Sequence, residues 1–422
     1  MLGICSRVQA MELFLPLFVI LIVARLLGEL SLRFGQAQLL GEVGAGVLIA
    51  LLTPVLAPYF PFLAGLVDSV PVHLVAEFGI FFLLLLVGVE MQPGEMRRAS
   101  KSSFLVALGG VVVPLVAGVV LGYVFLPDTA ARPAQAFFIG VALSITAVAV
   151  AARVLTDLGL IHHRVGRTVI AAAVYDDVLG LVLLAILTGV ISTGHLPPAI
   201  DLIWLLAKVA IFFAVTVGIS RFLYPWVARV LGAAQSRAAA FTTLLVVAFA
   251  FAVFAELMGL HFIMGAFVAG LFFEPRLVGD AVYRDIKDGV GVFTAGLLAP
   301  VFFASIGLHL DLAALWSVPG FLAVLILTAI LGKLIGAGSA ARLSGMGLSE
   351  SAAVGLGMSG RGAVDFIVAS IALQAGLFVQ GAHDPHVATL FSALVITSIV
   401  ATAVTPPVLR SVARRLPRSG GD

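Results

Sequence analysis

The chain has 422 residues, of which 61% are hydrophobic and 11% charged; it carries 44 glycines, a formal net charge of +2 and a mean hydropathy of +1.18. That composition lies far from the soluble average, leaves no stretch for a soluble domain, and gives no basic footprint for nucleic acid. A single cysteine, Cys5, excludes an intramolecular disulfide and a cysteine-built metal site.

Apolar stretches recur near 11–30, 37–58, 72–92, 103–125, 135–155, 166–192, 202–225, 237–257, 261–275, 290–308, 317–340, 349–376 and 387–409. Apart from the short 261–275, each is of the length that crosses a ~30 Å hydrocarbon core as a helix. The chain reads as an all-α polytopic membrane protein of about thirteen transmembrane helices, one integral domain over 1–422. Its first apolar run, from Met11, is followed by GELSLRFGQ rather than a small-residue cleavage site, so no cleavable signal peptide is expected, and Met11 is itself a candidate start. After the last span the chain is too short for a cytosolic regulatory domain.

Basic residues give the orientation, because Lys and Arg concentrate in cytoplasmic loops. With the N-terminus outside, nineteen basic residues, from Arg25 and Arg33 to Arg418, fall in inside loops or at inside span ends, and only Arg7 and Arg132 fall outside. Lys208, Lys333 and Arg361 lie within spans; Lys208 reads as a snorkelling lysine. An odd number of crossings, N-terminus outside and C-terminus cytoplasmic, is predicted.

Glu90 closes the third span in VGVEMQP. The fifth carries ALSITAVAV (142–150), including Ser144 and Thr146, where bulky apolar residues would be expected. His162 and His163 follow in a cytoplasmic loop beside Arg164, read either as solvated loop residues or as a sensor of cytosolic pH. The sixth span holds Asp176 and Asp177 in AAAVYDDVLGLVLLAILTGV. Each carboxylate at a bilayer centre costs roughly 2.5–3.5 kcal/mol on the mildest insertion scale, so the pair points to passage of a cation or protons.

The twelfth span, GLGMSGRGAVD (355–365), repeats the texture of the fifth and runs the opposite way through the membrane. This is the pattern of inverted repeats with two broken helices crossing at the midplane, although glycines easing helix packing would leave a similar trace. At 1.5 Å per residue, Asp177, ten residues after Arg167, and Lys333, nine before Arg342, both lie about 15 Å from the inner boundary. Thr146 and Arg361 lie near the same plane. A salt bridge from Asp176 to Lys333 is predicted, since pairing relieves the cost of both. Asp365 is left between a helix-packing partner for an Arg or Ser and a second proton carrier.

GEVGAGVLIA (41–50), EFGIFFLLLLVGVEMQP (77–93), ALSITAVAV with LTDLGL (155–160), VYDDVLG (174–180), MGAFVAGLFFEP (264–275), PVFFASIGLHLDL (300–312), LGKLIGAG (331–338) and GMSGRGAVD (357–365) occur in register. Together they resemble the monovalent cation:proton antiporters, in the bacterial sodium/proton exchanger branch. The resemblance implies an elevator in the bacterial plasma (inner) membrane, acting as a homodimer. Its core would be the spans of 103–192 and 317–409, its dimerisation or scaffold part those of 11–92 and 237–308, and its linker 202–225. By position, Asp177 matches the cation-binding carboxylate and Asp176 the partner of the lysine, here Lys333. Thr146 and its neighbours match the unwound stretch that lends oxygens, and Arg361 a structural arginine. Glu90 matches an acidic residue that either pairs with that arginine or guards the ion's way in. The sequence departs from the family at Gly360 and Ala363, where proline and glutamate are common, with Asp365 appearing instead, and at Ala37, commonly proline.

The mechanism expected is secondary active exchange of sodium or lithium for protons, both competing for Asp177, with no cofactor and no enzymatic step. Sodium wants hard oxygen ligands, which a carboxylate and a broken helix supply. Burial disfavours the charged forms and pairing favours them, so the two effects oppose one another. The paired carboxylates suit two protons per cation and hence an electrogenic cycle. Potassium/proton exchange is the main alternative, though the glutathione-gated potassium branch shows a glutamine before a single aspartate and a cytosolic nucleotide-binding domain. A passive channel would move cations without protons. An intramembrane aspartyl protease would need a GxGD aspartate on another span, and GAVD at 362–365 lacks the second glycine.

Overall fold

The computed structural model describes residues 2–67, 69–90, 101–146, 155, 160, 163–193, 199–232, 237–275 and 279–414. Among them the regular structure is helical. In chain order the helices are α1 (Leu2–Arg33), α2 (Gln38–Leu56), α3 (Val70–Glu90), α4 (Lys101–Phe125), α5 (Arg132–Ser144), α6 (Arg164–Thr193) and α7 (Ala199–Gly232). They continue with α8 (Arg237–Leu257), α9 (Ile263–Leu271), α10 (Asp280–Leu308), α11 (Pro319–Leu343), α12 (Leu348–Gly357), α13 (Ala363–Gln374) and α14 (Leu390–Ala413).

Nine helices among the described residues are long and apolar enough to cross a membrane: α1 to α4, α6, α8, α10, α11 and α14. The chain is a multi-pass membrane protein. Large apolar side chains such as Phe222, Leu257 and Leu343 are exposed, as expected where lipid is the solvent. The remaining predicted spans fall on α5, α7, α9 and the pair α12 and α13.

One boundary differs from the sequence reading. The span placed at 290–308 starts at Asp280, because the charged stretch before it is an amphipathic helix: Tyr283, Ile286 and Val290 are buried while Asp280 and Arg284 are exposed. A π turn at Thr294–Leu298 joins it to the apolar part.

The chain divides into two compact units, Met1–Pro93 with Lys208–Leu310, and Gly94–Ala207 with Asp311–Asp422. In the first, α2 packs on α1 and α10, and α3 on α9 and α10. Its core includes Ile20, Ala45, Ile49, Val301 and Ala304. The Tyr283 hydroxyl donates to the Val89 carbonyl at 2.7 Å.

In the second unit α4 lies along α5, α6 and α11, and α14 packs on α11, α12 and α13. The contact of α4 with α11 rests on two glycines. A Cβ at Gly336 would stand 2.2 Å from the Gly109 carbonyl oxygen, and one at Gly109 2.5 Å from that of Gly336. Gly332 and Gly336, four residues apart on α11, form the small-residue seam that lets two helices touch by backbone in lipid.

Candidate functional site

The helices carrying the predicted charged residues are fixed at one end. His163 Nδ1 accepts the Val165 N–H at 3.2 Å and its carbonyl accepts the Arg167 N–H at 3.0 Å, so His163 is the N-cap of α6. Arg164 donates to the carbonyls of Gly345 (3.3 Å) and Ser344 (3.4 Å), just past the end of α11. The start of α6 is thereby tied to the end of α11.

Further along both helices, Lys333 Nζ lies 3.1 Å from Asp176 Oδ1, and both side chains are 0% exposed. The Lys333 stem runs beside Gly110, where a Cβ would stand 3.8 Å from Nζ. Asp176 Oδ2 is buried with no hydrogen-bond partner. Asp177 is partly exposed; as the next residue it is turned about 100° around the helix.

Two helix breaks meet in the same unit. α5 ends at Ser144 because Ile145 turns extended (φ −74°, ψ 148°), and α12 ends at Gly357, the helix resuming as α13 after extended Gly362 (φ −163°, ψ −155°). Thr146 Oγ1 donates to the Met358 carbonyl at 3.0 Å, joining one break to the other. Ser144 Oγ donates to Val141 O at 2.8 Å. Most residues of the segment following Thr146 lie outside the described ones.

Arg361, 1% exposed, caps the end of α5. Nη1 donates to Ala142 O (2.5 Å) and Ile145 O (3.1 Å), and Nη2 to Leu143 O (2.6 Å). A cation at a helix C-terminus is favoured by the dipole and satisfies carbonyls that would otherwise be orphaned. Its carbonyl accepts from Thr402 Oγ1 at 3.1 Å. Asp365, in the first turn of α13, stands 3.7 Å from Arg361 Nη1 and accepts from Ser398 Oγ at 3.2 Å.

The structure thus assembles Asp176, Asp177, Lys333, Thr146, Ser144, Arg361 and Asp365 within one unit. Glu90 belongs to the other unit, where it pairs with Lys287 at 3.8 Å, both half-exposed. His162 lies outside the described residues. Ser398 and Thr402 were not anticipated. Their signal was the hydroxyl stripe at 398, 402 and 405 of an apolar span, one helix face at i, i+4 and i+7 spacing.

Chemically, a partly exposed carboxylate beside a compensated buried pair, in the same unit as two helix breaks, suits one hard monovalent cation or a proton. Among the described residues no group of three or more His, Cys, Asp or Glu could hold a metal ion otherwise.

The family profile described as sodium/hydrogen exchanger, transmembrane, matches residues 17–411. The chain belongs to the sodium/hydrogen exchanger family. It is a family of transporters, and its curated members include proteins of nearly this length. The probable Na+/H+ antiporter GerT of Bacillus cereus is 32% identical over 402 residues, covering 95% of this chain and 99% of that one. The Na+/H+-K+ antiporter GerN of Bacillus cereus is 31% identical, covering 94% and 96%. A Na+/H+ antiporter of Enterococcus hirae is 28% identical, covering 96% and 99%. In fold the chain is similar to the sodium proton antiporter MjNhaP1 from Methanocaldococcus jannaschii, with TM-score 0.70 at 18% identity, covering 96% of this chain and 99% of that one.

Proposed function

We propose that this exchanger-family protein is a secondary active sodium(lithium)/proton antiporter in which the two ions compete for Asp177. The observation that carries the reading is the fully buried Asp176–Lys333 pair directly beside a partly exposed Asp177. A buried pair that compensates itself leaves the neighbouring carboxylate as the group able to take an ion. Relatives of similar length named as Na+/H+ antiporters support the choice of ions. Thr146 and Ser144 supply oxygens near the break, Lys333 couples protonation to the pair, and Arg361 holds the two broken helices together.

The spans of 103–192 and 317–409 are the moving core of an elevator, those of 11–92 and 237–308 the dimerisation scaffold and 202–225 the linker, with the chain in a bacterial plasma membrane, N-terminus outside and C-terminus cytoplasmic. Two protons exchange for one cation, so the cycle carries charge. A transport rate indifferent to membrane voltage would contradict that stoichiometry. Potassium is the second reading, favoured by the similarity to a relative named Na+/H+-K+ antiporter.

The test is reconstitution in liposomes with a trapped pH dye and an imposed proton gradient, adding sodium, lithium or potassium. Sodium-driven proton movement that disappears in Asp177→Asn is expected. Proton movement with potassium alone would assign the other cation, and cation flux without proton movement would make the protein a channel.

A further inference from the structure

Among the described residues of the second unit, four charged side chains are fully buried: Asp176, Lys333, Arg361 and Asp365. They form two pairs of opposite sign, 3.1 Å and 3.7 Å apart, and Lys333 lies within electrostatic reach of both carboxylates and of Arg361. Their charges sum to zero. The partly exposed Asp177 is the one carboxylate this cluster leaves uncompensated.

Asp365 contributes charge more than hydrogen-bond geometry. Its Oδ1 is buried without a partner, and Oδ2 takes one 3.2 Å bond from Ser398. The shorter bonds of Arg361 go to the α5 carbonyls, so the guanidinium keeps its place through them. What Asp365 cancels is the positive charge of Arg361, from the first turn of α13 where the helix dipole favours an anion.

Resting on the antiport reading of Asp177, we propose that Asp365 is the counter-charge that enforces coupling between cation and proton. With Asp365 in place the cluster and Asp177 together carry one negative charge when empty, none with one sodium ion, and one positive charge with two protons. An inside-negative potential opposes inward return of the empty form and drives that of the protonated form, on the order of 50-fold per charge at about 100 mV. Sodium released outside is then balanced by protons entering. Without the Asp365 charge each form gains one positive charge. The potential still separates the empty from the protonated form by two charges, but the cost of carrying buried net charge through the membrane rises steeply with that charge, so the empty form, now neutral, returns more readily than the protonated form, now doubly positive, and coupling slips.

The experiment measures radioactive sodium release and proton uptake in the same liposomes under an inside-negative potential. The unsubstituted protein is expected to show a fixed proton-to-sodium ratio, and Asp365→Asn a ratio several-fold lower. A merely structural loss would slow both fluxes and leave their ratio alone. Adding Ser398→Asp to Asp365→Asn restores a carboxylate at a neighbouring position, whose native hydroxyl lies 3.2 Å from the original oxygen, and is expected to bring the ratio back. The proposal is overturned by Asp365→Asn exchanging at the original ratio, or by an inactive Asp365→Asn that Ser398→Asp fails to revive. Absence of sodium-dependent proton movement in the unsubstituted protein would instead defeat the antiport reading.

Discussion

Thr146 and Met358 join the two helix breaks directly: the threonine hydroxyl donates to the methionine carbonyl at 3.0 Å, across 212 residues of sequence. Each break frees backbone groups that cannot find water in a bilayer, so each must be satisfied by protein. One break answers the other, and Arg361 completes the arrangement on the α5 side. Thr146→Val is expected to cost about 1 kcal/mol of stability, since it leaves a buried carbonyl without its donor. Thr146→Ser should keep the bond. Thermal unfolding of the two variants in detergent checks this, and equal loss in both would refute the hydroxyl's role.

The buried pair predicts asymmetric costs. Lys333→Met leaves Asp176 without its counter-charge, which destabilises by about 3–5 kcal/mol. Adding Asp176→Leu removes the stranded charge and should recover most of that loss, although exchange stays absent. A double variant no more stable than Lys333→Met would argue against ionic pairing.

Close approach of α4 and α11 predicts a steric effect. Gly336→Ala puts a Cβ 2.2 Å from a backbone oxygen, so the helices must part, at a cost of about 1–3 kcal/mol. Lys333 is one turn away and moves with the seam, so exchange should fall as well. Gly320→Ala on the same helix meets nothing within 4 Å and is expected to leave unfolding temperature unchanged or raised.

The helical spans were legible because lipid leaves few options: long apolar runs must satisfy their own backbone. The level shared by Asp177 and Lys333 was reckonable from rise per residue, and the pairing of Lys333 with the adjacent Asp176, expected from it, is present at 3.1 Å. Less legible was the start of α10, where a charged amphipathic helix runs unbroken into the apolar span and hydropathy marks only the second part. The pairing of Glu90 with Lys287 and of Arg361 with the α5 carbonyls was beyond the sequence for a different reason. Pairing depends on which helices share a unit, and Lys287 and the α5 carbonyls are far from them in sequence. Likewise His163 looked like a loop residue, because a histidine accepting through Nδ1 is an uncommon N-cap.

That cap makes its own prediction. His163→Asn retains a side chain able to accept at a helix start, whereas His163→Leu should cost about 1 kcal/mol. Hydrogen exchange of the first turn of α6 reports the difference: faster exchange at Val165 is expected in His163→Leu and not in His163→Asn.

Competition of sodium and protons for Asp177 is tested most directly by adding sodium to the purified protein in weakly buffered detergent solution and recording proton release. Release that saturates with sodium and is absent in Asp177→Asn is the predicted result. Sodium binding without proton release, or release undiminished in Asp177→Asn, would contradict a shared site at this carboxylate.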